Sequence, residues 1–470
     1  MTIGHVFSER KIVRCALLAD LRSATMKPVE RTGEAAGTAV SPVTVTVEPA
    51  AGSSIAAPRS TEPAVAGTRG TSVGRRGRWR GLALRMATAT AVSVLAVGLC
   101  SCSHDQPVTE SPETYQPGEL LSAPLEFQGY PALDALAATS LKIRYRSTSG
   151  IDGTATTVSG VVFVPKGQPP AQGWPIASIA HATAGITSDC APSAYPNLLG
   201  NLAQVVAFLS QAYVVVVSDY QGLGTPGPHP YLEPKTAAYN VIDAVRAARH
   251  AVPHTSTTWI TYGFSQGGQA AWAANEMATE YAPELTLAAA VSVAPSTDLR
   301  PFADAIDNGT LTTDQIVLLP LVLKGLQAAH PELNLDDYLH GILAKRTDVF
   351  FACAGVNDDL KGLIAKTATP NDYKPTTQQA TDNLRTWLAQ YSLPMRPTTA
   401  PMLVAYGDQD TIVLPTWTTQ GLQQACNLGD TIDIHAIQGQ GHYLQLETNP
   451  ADWVSAVRSG EAPVNSCTAT

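Results

Sequence analysis

The chain offers no cradle for a cofactor and no metal constellation. No G-x-G-x-x-G lies between a strand and a helix, there is no P-loop, and there is no C-x-x-C; Cys100 and Cys102 stand only two apart. Any chemistry is therefore expected from side chains and backbone alone, with no cofactor and no metal. Apolar runs long enough to span a bilayer are also missing from the front of the chain. The stretch Met86–Leu99 has 14 apolar or small residues, whereas a spanning helix needs about 20. Basic charge is short too, with 30 Lys+Arg against 39 Asp+Glu. Such a balance repels nucleic acid and anionic headgroups, so neither is an expected partner.

What the front of the chain does contain reads as an address. Residues 1–72 are rich in Ala, Thr, Pro, Val and Gly, with no sustained apolar period. They read as a disordered or mis-assigned N-terminal extension. Residues 73–102 then carry Arg75, Arg76, Arg78, Arg80 and Arg85 before the apolar run, which is a secretory signal pattern. The run ends Leu99-Cys100-Ser101-Cys102 and resembles a lipoprotein box, with lipidation and membrane attachment expected at Cys102; an ordinary cleaved signal is the alternative. Cleavage before Cys102 leaves Cys190, Cys353, Cys426 and Cys467 beside it, an even set suited to disulfides in an exported chain. Of the charged residues, 13 basic and 6 acidic lie in residues 1–101, so the remainder carries a net −16. Residues 103–120 (Pro, Ser, Glu, Thr) read as a linker.

Residues 121–470 alternate strand and helix patterns. Leu141–Arg146 and Thr156–Val164 read as an antiparallel pair, and Pro175–His181, Tyr213–Ser218, Trp259–Tyr262, Leu285–Val293, Met402–Tyr406 and Thr431–Ile437 as further strands. Leu198–Leu209, Thr236–Ala251, Leu414–Cys426 and Asp452–Arg458 read as helices between them. This alternation predicts an α/β fold: a mostly parallel central sheet with helices on both faces. A mostly helical block at about 295–400 interrupts it and reads as an inserted lid.

One stretch carries the chemistry. Thr257–Tyr262 suits a buried strand, Gly263-Phe264-Ser265-Gln266-Gly267 is G-x-S-x-G, and Gln266–Glu280 suits a helix. A strand, a tight turn and a helix around G-x-S-x-G form a nucleophile elbow, with Ser265 at its tip. Gly70-Thr71-Ser72-Val73-Gly74 matches the same pattern but lacks a strand before it and a helix after it. Ser72 is therefore set aside.

A serine hydroxyl needs a base, and the base needs an orienting acid. Downstream, the strand Met402–Tyr406 ends in Gly407-Asp408-Gln409-Asp410-Thr411-Ile412-Val413. Asp410 has the better spacing for the acid, and Asp408 is its rival. Gly439-Gln440-Gly441-His442 follows the last strand, giving the order Ser, acid, His of α/β-hydrolases. His435 lies within the strand pattern, while His181, His229, His254, His330 and His340 precede the acid. For the oxyanion, the first donor is the N–H of Gln266. The second comes from His181–Gly185 or from Val217–Gly224, which contains Asp219.

The motifs SDYQGLG at 218–224, GFSQGG at 263–268, YGDQD at 406–410 and GQGH at 439–442 resemble the secretory lipase family, the Candida lipase A-like branch of the α/β-hydrolases. The resemblance covers about 115–470 and implies a bacterial member of this family. It implies a Ser265–Asp410–His442 triad, an oxyanion hole from Asp219 and Gln266, and a helical lid at 295–400. It also implies disulfides Cys190–Cys353 and Cys426–Cys467. The expected activity is ester hydrolysis on a lipid or small ester, most simply acylglycerols, by an exported or surface-anchored enzyme. A short-chain esterase, an acyltransferase and a non-catalytic binding module are the rivals.

Overall fold

The computed structural model describes residues 115–469. The extension 1–72, the signal 73–102 with Cys102, and residues 103–114 of the linker lie outside the described residues, as does Ser72.

Nine strands form one sheet in the order β1-β2-β3-β5-β4-β6-β7-β8-β9. The chain enters through β1 (Leu125–Glu126), helix α1 (Pro131–Leu136), β2 (Ala137–Thr148), β3 (Ala155–Pro165) and β4 (Trp174–Ala180). Helix α2 (Leu202–Ser210) and β5 (Val214–Ser218) follow, then α3 (Pro234–Ala251), β6 (Thr255–Phe264), α4 (Gln266–Tyr281) and β7 (Thr286–Val293). The first three strands and the β3–β5 pair are antiparallel; every pairing from β5 through β4 to β9 is parallel.

Burial explains why these segments become central strands. Every residue of β4 and of β5 is buried. Along β5, Val214 and Val216 join the apolar core on one face, while Val215 and Val217 join the core on the other. Two-sided burial is what a run of β-branched residues suits. On the first face lie α3 and α4, whose many alanines let them sit close to the sheet. Helix α3 is started by Pro234 at its first position and by Glu233, whose carboxylate accepts the N–H groups of Lys235 and Thr236.

Between β7 and β8 the chain forms six α-helices: α5 (Arg300–Asn308), α6 (Thr313–Ala329), α7 (Gly341–Lys345), α8 (Thr347–Phe351), α9 (Asp358–Thr367) and α10 (Gln378–Gln390). They build a third core around Phe302, Leu319, Leu323, Phe350 and Leu388, joined by Tyr231, Val413 and Trp417 from the sheet-bearing part. Strand β8 (Met402–Gly407), α11 (Pro415–Leu428), β9 (Ile432–Ile437) and α12 (Pro450–Arg458) complete the fold.

Two expectations need correcting. The fold begins before residue 121: Gly118 N–H donates to Arg146 O, Leu121 N–H to Arg144 O, and the Tyr115 hydroxyl bonds Thr148 Oγ1. These are mainly backbone bonds, so the Pro/Glu/Thr composition gives no sign of them. The Leu198–Leu209 helix is also shortened. Leu198, Leu199 and Gly200 all take positive φ, which breaks the helix, and α2 starts only at Leu202.

Candidate active site

The elbow is built by close backbone contacts. Ser265 sits at φ 57°, ψ −118°, a conformation rarely adopted outside glycine. It is held by its N–H donating to Val293 O on β7 and by its carbonyl accepting Gln269 N–H of α4. A Cβ on Gly263 would lie 1.8 Å from Gly267 O, and one on Gly267 would lie 2.0 Å from Ala180 O. Both glycines are therefore required by the crossing of β6, α4 and β4.

The three expected catalytic side chains come together. His442 Nε2 lies 2.9 Å from Ser265 Oγ, and His442 Nδ1 lies 2.7 Å from Asp410 Oδ2. Asp410 Oδ1 accepts the N–H groups of Ile412 and Val413. With both carboxylate oxygens accepting, Nδ1 carries the ring hydrogen and Nε2 is left bare toward the serine hydroxyl. Ser265, His442 and Asp410 are only 8, 6 and 3 % exposed, so the set is withdrawn from water. The His442 ring packs 5.1 Å from Phe264, directly before the serine.

The rival acid has a different task. Asp408 Oδ1 accepts Gly439 N–H, and Gln409 N–H donates to Gln440 O, tying the acid loop to the histidine loop. A Cβ on Gly407 would lie 2.2 Å from Gln440 O, so the two loops touch along their backbones. His435 pairs with Asp433, which also accepts Trp453 Nε1–H. His181 faces carbonyls with both ring nitrogens.

The oxyanion expectation splits. Gln266 opens α4, so its N–H has no acceptor within the helix. Asp219, in contrast, has no donor to lend. Its N–H donates to Ser159 O, and its carboxylate accepts Ser159 Oγ–H, Ser193 N–H and Ser193 Oγ–H. Full burial raises its pKa, against the pull of those bonds. Asp219 therefore holds the 159, 193 and 219 segments together, and its assignment to the oxyanion hole is corrected. The other loop fits better. Ala180 pairs with Gly263 in the β4–β6 register, and a Cβ on Gly267 would lie 2.8 Å from His181 O, so the chain leaving β4 runs beside the elbow. The N–H groups of Ala182 and Thr183 make no hydrogen bond among the described residues.

Both implied disulfides are formed, Cys190–Cys353 and Cys426–Cys467. The first joins the segment after β4 to the inserted helices, and Ala354 N–H donates to Ala184 O beside it. Asp189, Cys190 and Cys353 are spaced like metal ligands, but both sulfurs are spent in the disulfide. The insertion also docks on the acid loop. Thr312 Oγ1–H donates to Thr411 O, Gln315 Nε2–H to Ile412 O, and Thr411 Oγ1–H to Asp314.

Sequence reasoning missed one pair beside the nucleophile. Gln266 Nε2 lies 3.1 Å from His229 Nε2, and His229 Nδ1 lies 2.8 Å from Gln221 O. Burial pushes the His229 pKa down to about 3. Only the polar, non-small residue directly after Ser265 hinted at such a partner.

An elbow serine, a strand-end acid and a late histidine on a parallel sheet define an α/β-hydrolase. The family model described as secretory lipase matches residues 200–465, and the chain belongs to that family. A protein of Mycobacterium tuberculosis named "Probable inactive lipase MT1628" is 33% identical over 245 residues, 49% of this chain and 53% of that protein. The chain spans about half the length of the curated relatives it matches. Among solved structures, Candida antarctica lipase A aligns with a TM-score of 0.60 at 19% identity, covering 75% of this chain and 85% of that one. The ligand-bound rice cell wall degrading esterase LipA from Xanthomonas oryzae aligns at 0.58 and 20% identity, covering 75% and 96%. At these identities the structures speak for the fold alone.

Proposed function

We propose that the chain is an exported serine hydrolase of carboxylic esters, acting on acylglycerols. The observation that carries this reading is the unbroken hydrogen-bond path from Asp410 through His442 to Ser265 Oγ. Ser265 Oγ attacks the ester carbonyl while His442 Nε2 takes its proton. Asp410 holds the imidazole and stabilises its charged form. The Gln266 N–H and an N–H from Ala182 or Thr183 receive the tetrahedral oxyanion, each such donor being worth about a hundredfold to a thousandfold in rate. His442 then returns the proton to the departing alcohol. Water releases the acyl group through the same steps. The inserted helices dock on the acid loop beside Asp410, which supports their reading as a lid.

The family's secretory character supports export, and lipidation at Cys102 would anchor the chain to the cell membrane. Intact mass of the mature protein tests that part: a diacylglyceryl mass on Cys102 supports it, and a free or absent Cys102 removes it.

The test of the activity is hydrolysis of p-nitrophenyl esters from acetyl to palmitoyl, run beside Ser265→Ala. Activity on long chains that vanishes in the variant supports the reading. Activity confined to acetyl and butyryl esters turns it into a short-chain esterase, and transfer to an added alcohol into an acyltransferase. The inactive label of the mycobacterial relative favours a non-catalytic binder as the second reading. A chain whose mass is unchanged by a fluorophosphonate would bear that out.

A further inference from the structure

The residue after the nucleophile lends only its backbone to the proposed reaction, yet its side chain is an amide sealed inside the protein. Gln266 is 1 % exposed, and its Oε1 is buried without a hydrogen-bond partner among the described residues. Leaving a buried acceptor unmade is costly, whereas an aliphatic side chain of similar volume would fill the space without that cost. The amide's other end explains why it is there. Nε2–H meets His229 Nε2.

His229 is itself fixed on three sides. Its Nδ1 faces a carbonyl, Gln221 O, and so carries the hydrogen; Nε2 is then an acceptor and the Gln266 amide the donor. Gln221 N–H donates to Asn240 Oδ1 on α3, and Asn240 Nδ2–H donates to Ser147 Oγ on β2. The loop is folded back tightly, since a Cβ on Gly222 would lie 2.4 Å from His229 N. The ring also lies parallel to Tyr220, whose hydroxyl donates to His181 O at the start of the β4 exit loop. One segment, 220–229, thus touches both arms of the oxyanion hole: the Gln266 end and the 181–183 end.

We propose that His229 is a positioning residue of the oxyanion hole, holding the Gln266 side chain so that the Gln266 N–H stays aimed at the developing oxyanion. Ser265 is strained at φ 57°, so the peptide plane joining it to Gln266 has a tendency to relax. Tethering the next side chain to a rigid loop opposes that rotation. The benefit falls on the transition state, because only there does the oxygen carry the charge that the N–H meets.

This inference rests on the proposed hydrolase activity, and the test separates the two. In the full chain, His229→Phe keeps the ring but removes the acceptor, His229→Gln restores an amide oxygen at that position, and Gln266→Leu removes the donor while keeping the backbone N–H. His229→Phe is expected to lower kcat by about 10- to 100-fold with KM changed by less than about threefold. Fluorophosphonate labelling should slow in parallel. His229→Gln should recover most of the rate, and the double variant His229→Phe/Gln266→Leu should be no slower than the slower single variant. A folded His229→Phe with unchanged kcat, a loss confined to KM, or losses that multiply in the double variant would overturn the proposal. Should the parent chain be inert to esters and to the probe, the activity itself falls. The pairing then remains readable in the ring-nitrogen NMR signals of His229. A neutral ring with hydrogen on Nδ1 across about pH 5 to 8 supports the pairing, and titration in that range sinks it.

Discussion

Asp410→Asn isolates what the acid contributes, because the structure dictates how the amide must sit. Asp410 Oδ1 accepts two backbone N–H groups, from Ile412 and Val413. Asparagine keeps one oxygen, and that oxygen goes where two donors wait. Its NH2 then points at His442 Nδ1, where Asp410 Oδ2 stood at 2.7 Å. A donor at that place forces Nδ1 to give up its hydrogen. The hydrogen moves to Nε2, which faces Ser265 Oγ at 2.9 Å and can no longer accept the serine proton. The ring is in place but in the wrong tautomer, and its charged form has lost its carboxylate. The expected loss in kcat is about a thousandfold to ten-thousandfold, equivalent to about 4–5 kcal/mol of transition-state stabilisation. Folding should be nearly untouched, since both backbone donors keep their acceptor. The assay is steady-state hydrolysis of a p-nitrophenyl ester with a melting curve on the same sample. Asp408→Asn is the matched control, because its oxygen can still accept Gly439 N–H. A variant at 410 that keeps a tenth of the parent rate, or one at 408 that loses as much, would contradict this role for Asp410.

Other consequences can be checked in the same way. Gly263→Ala puts a Cβ 1.8 Å from Gly267 O and should cost about 3 kcal/mol or more; an unchanged denaturation midpoint would contradict it. Replacing Cys190 and Cys353 together by serine opens a link of sequence separation 163. It should lower stability by about 4 kcal/mol, read as a lower melting temperature than the parent without reductant. Burial pushes Glu276 up to about 8, against the N–H groups of Met395 and Arg396. A carboxyl raised in the folded state supports stability fully below about pH 4.5, and that support is lost as pH rises toward about 8. Glu276→Gln should therefore gain melting temperature relative to the parent between pH 5 and 8, and a difference that stays flat with pH would be wrong for this cause.

The elbow is legible in the sequence because its demands are local: two glycines four apart, a β-branched run before them and an alanine-rich helix after. Asp410 and His442 are legible because chain order and strand ends restrict where they can lie. The doubly buried strand β5 announces itself as VVVVS. The role of Asp219 is not legible, for the opposite reason. Its role depends on Ser193, 26 residues earlier, and on Ser159 across the β3–β5 pair, and neither neighbour is visible in the local motif. The His229–Gln266 contact is equally non-local, since 37 residues and a folded-back loop separate the partners. Backbone pairing of residues 118–121 and the left-handed turn at Leu198–Gly200 leave no mark in composition.

In the proposed mechanism His442 makes Ser265 nucleophilic. The most direct test is the site of reaction with a fluorophosphonate, read by peptide mass spectrometry on the parent chain and on His442→Ala. One added phosphonyl group is expected on the peptide containing Ser265, with loss of ester hydrolysis in step with its formation and almost no labelling in the variant. Labelling at a different serine, or equally fast labelling of Ser265 without His442, would contradict it.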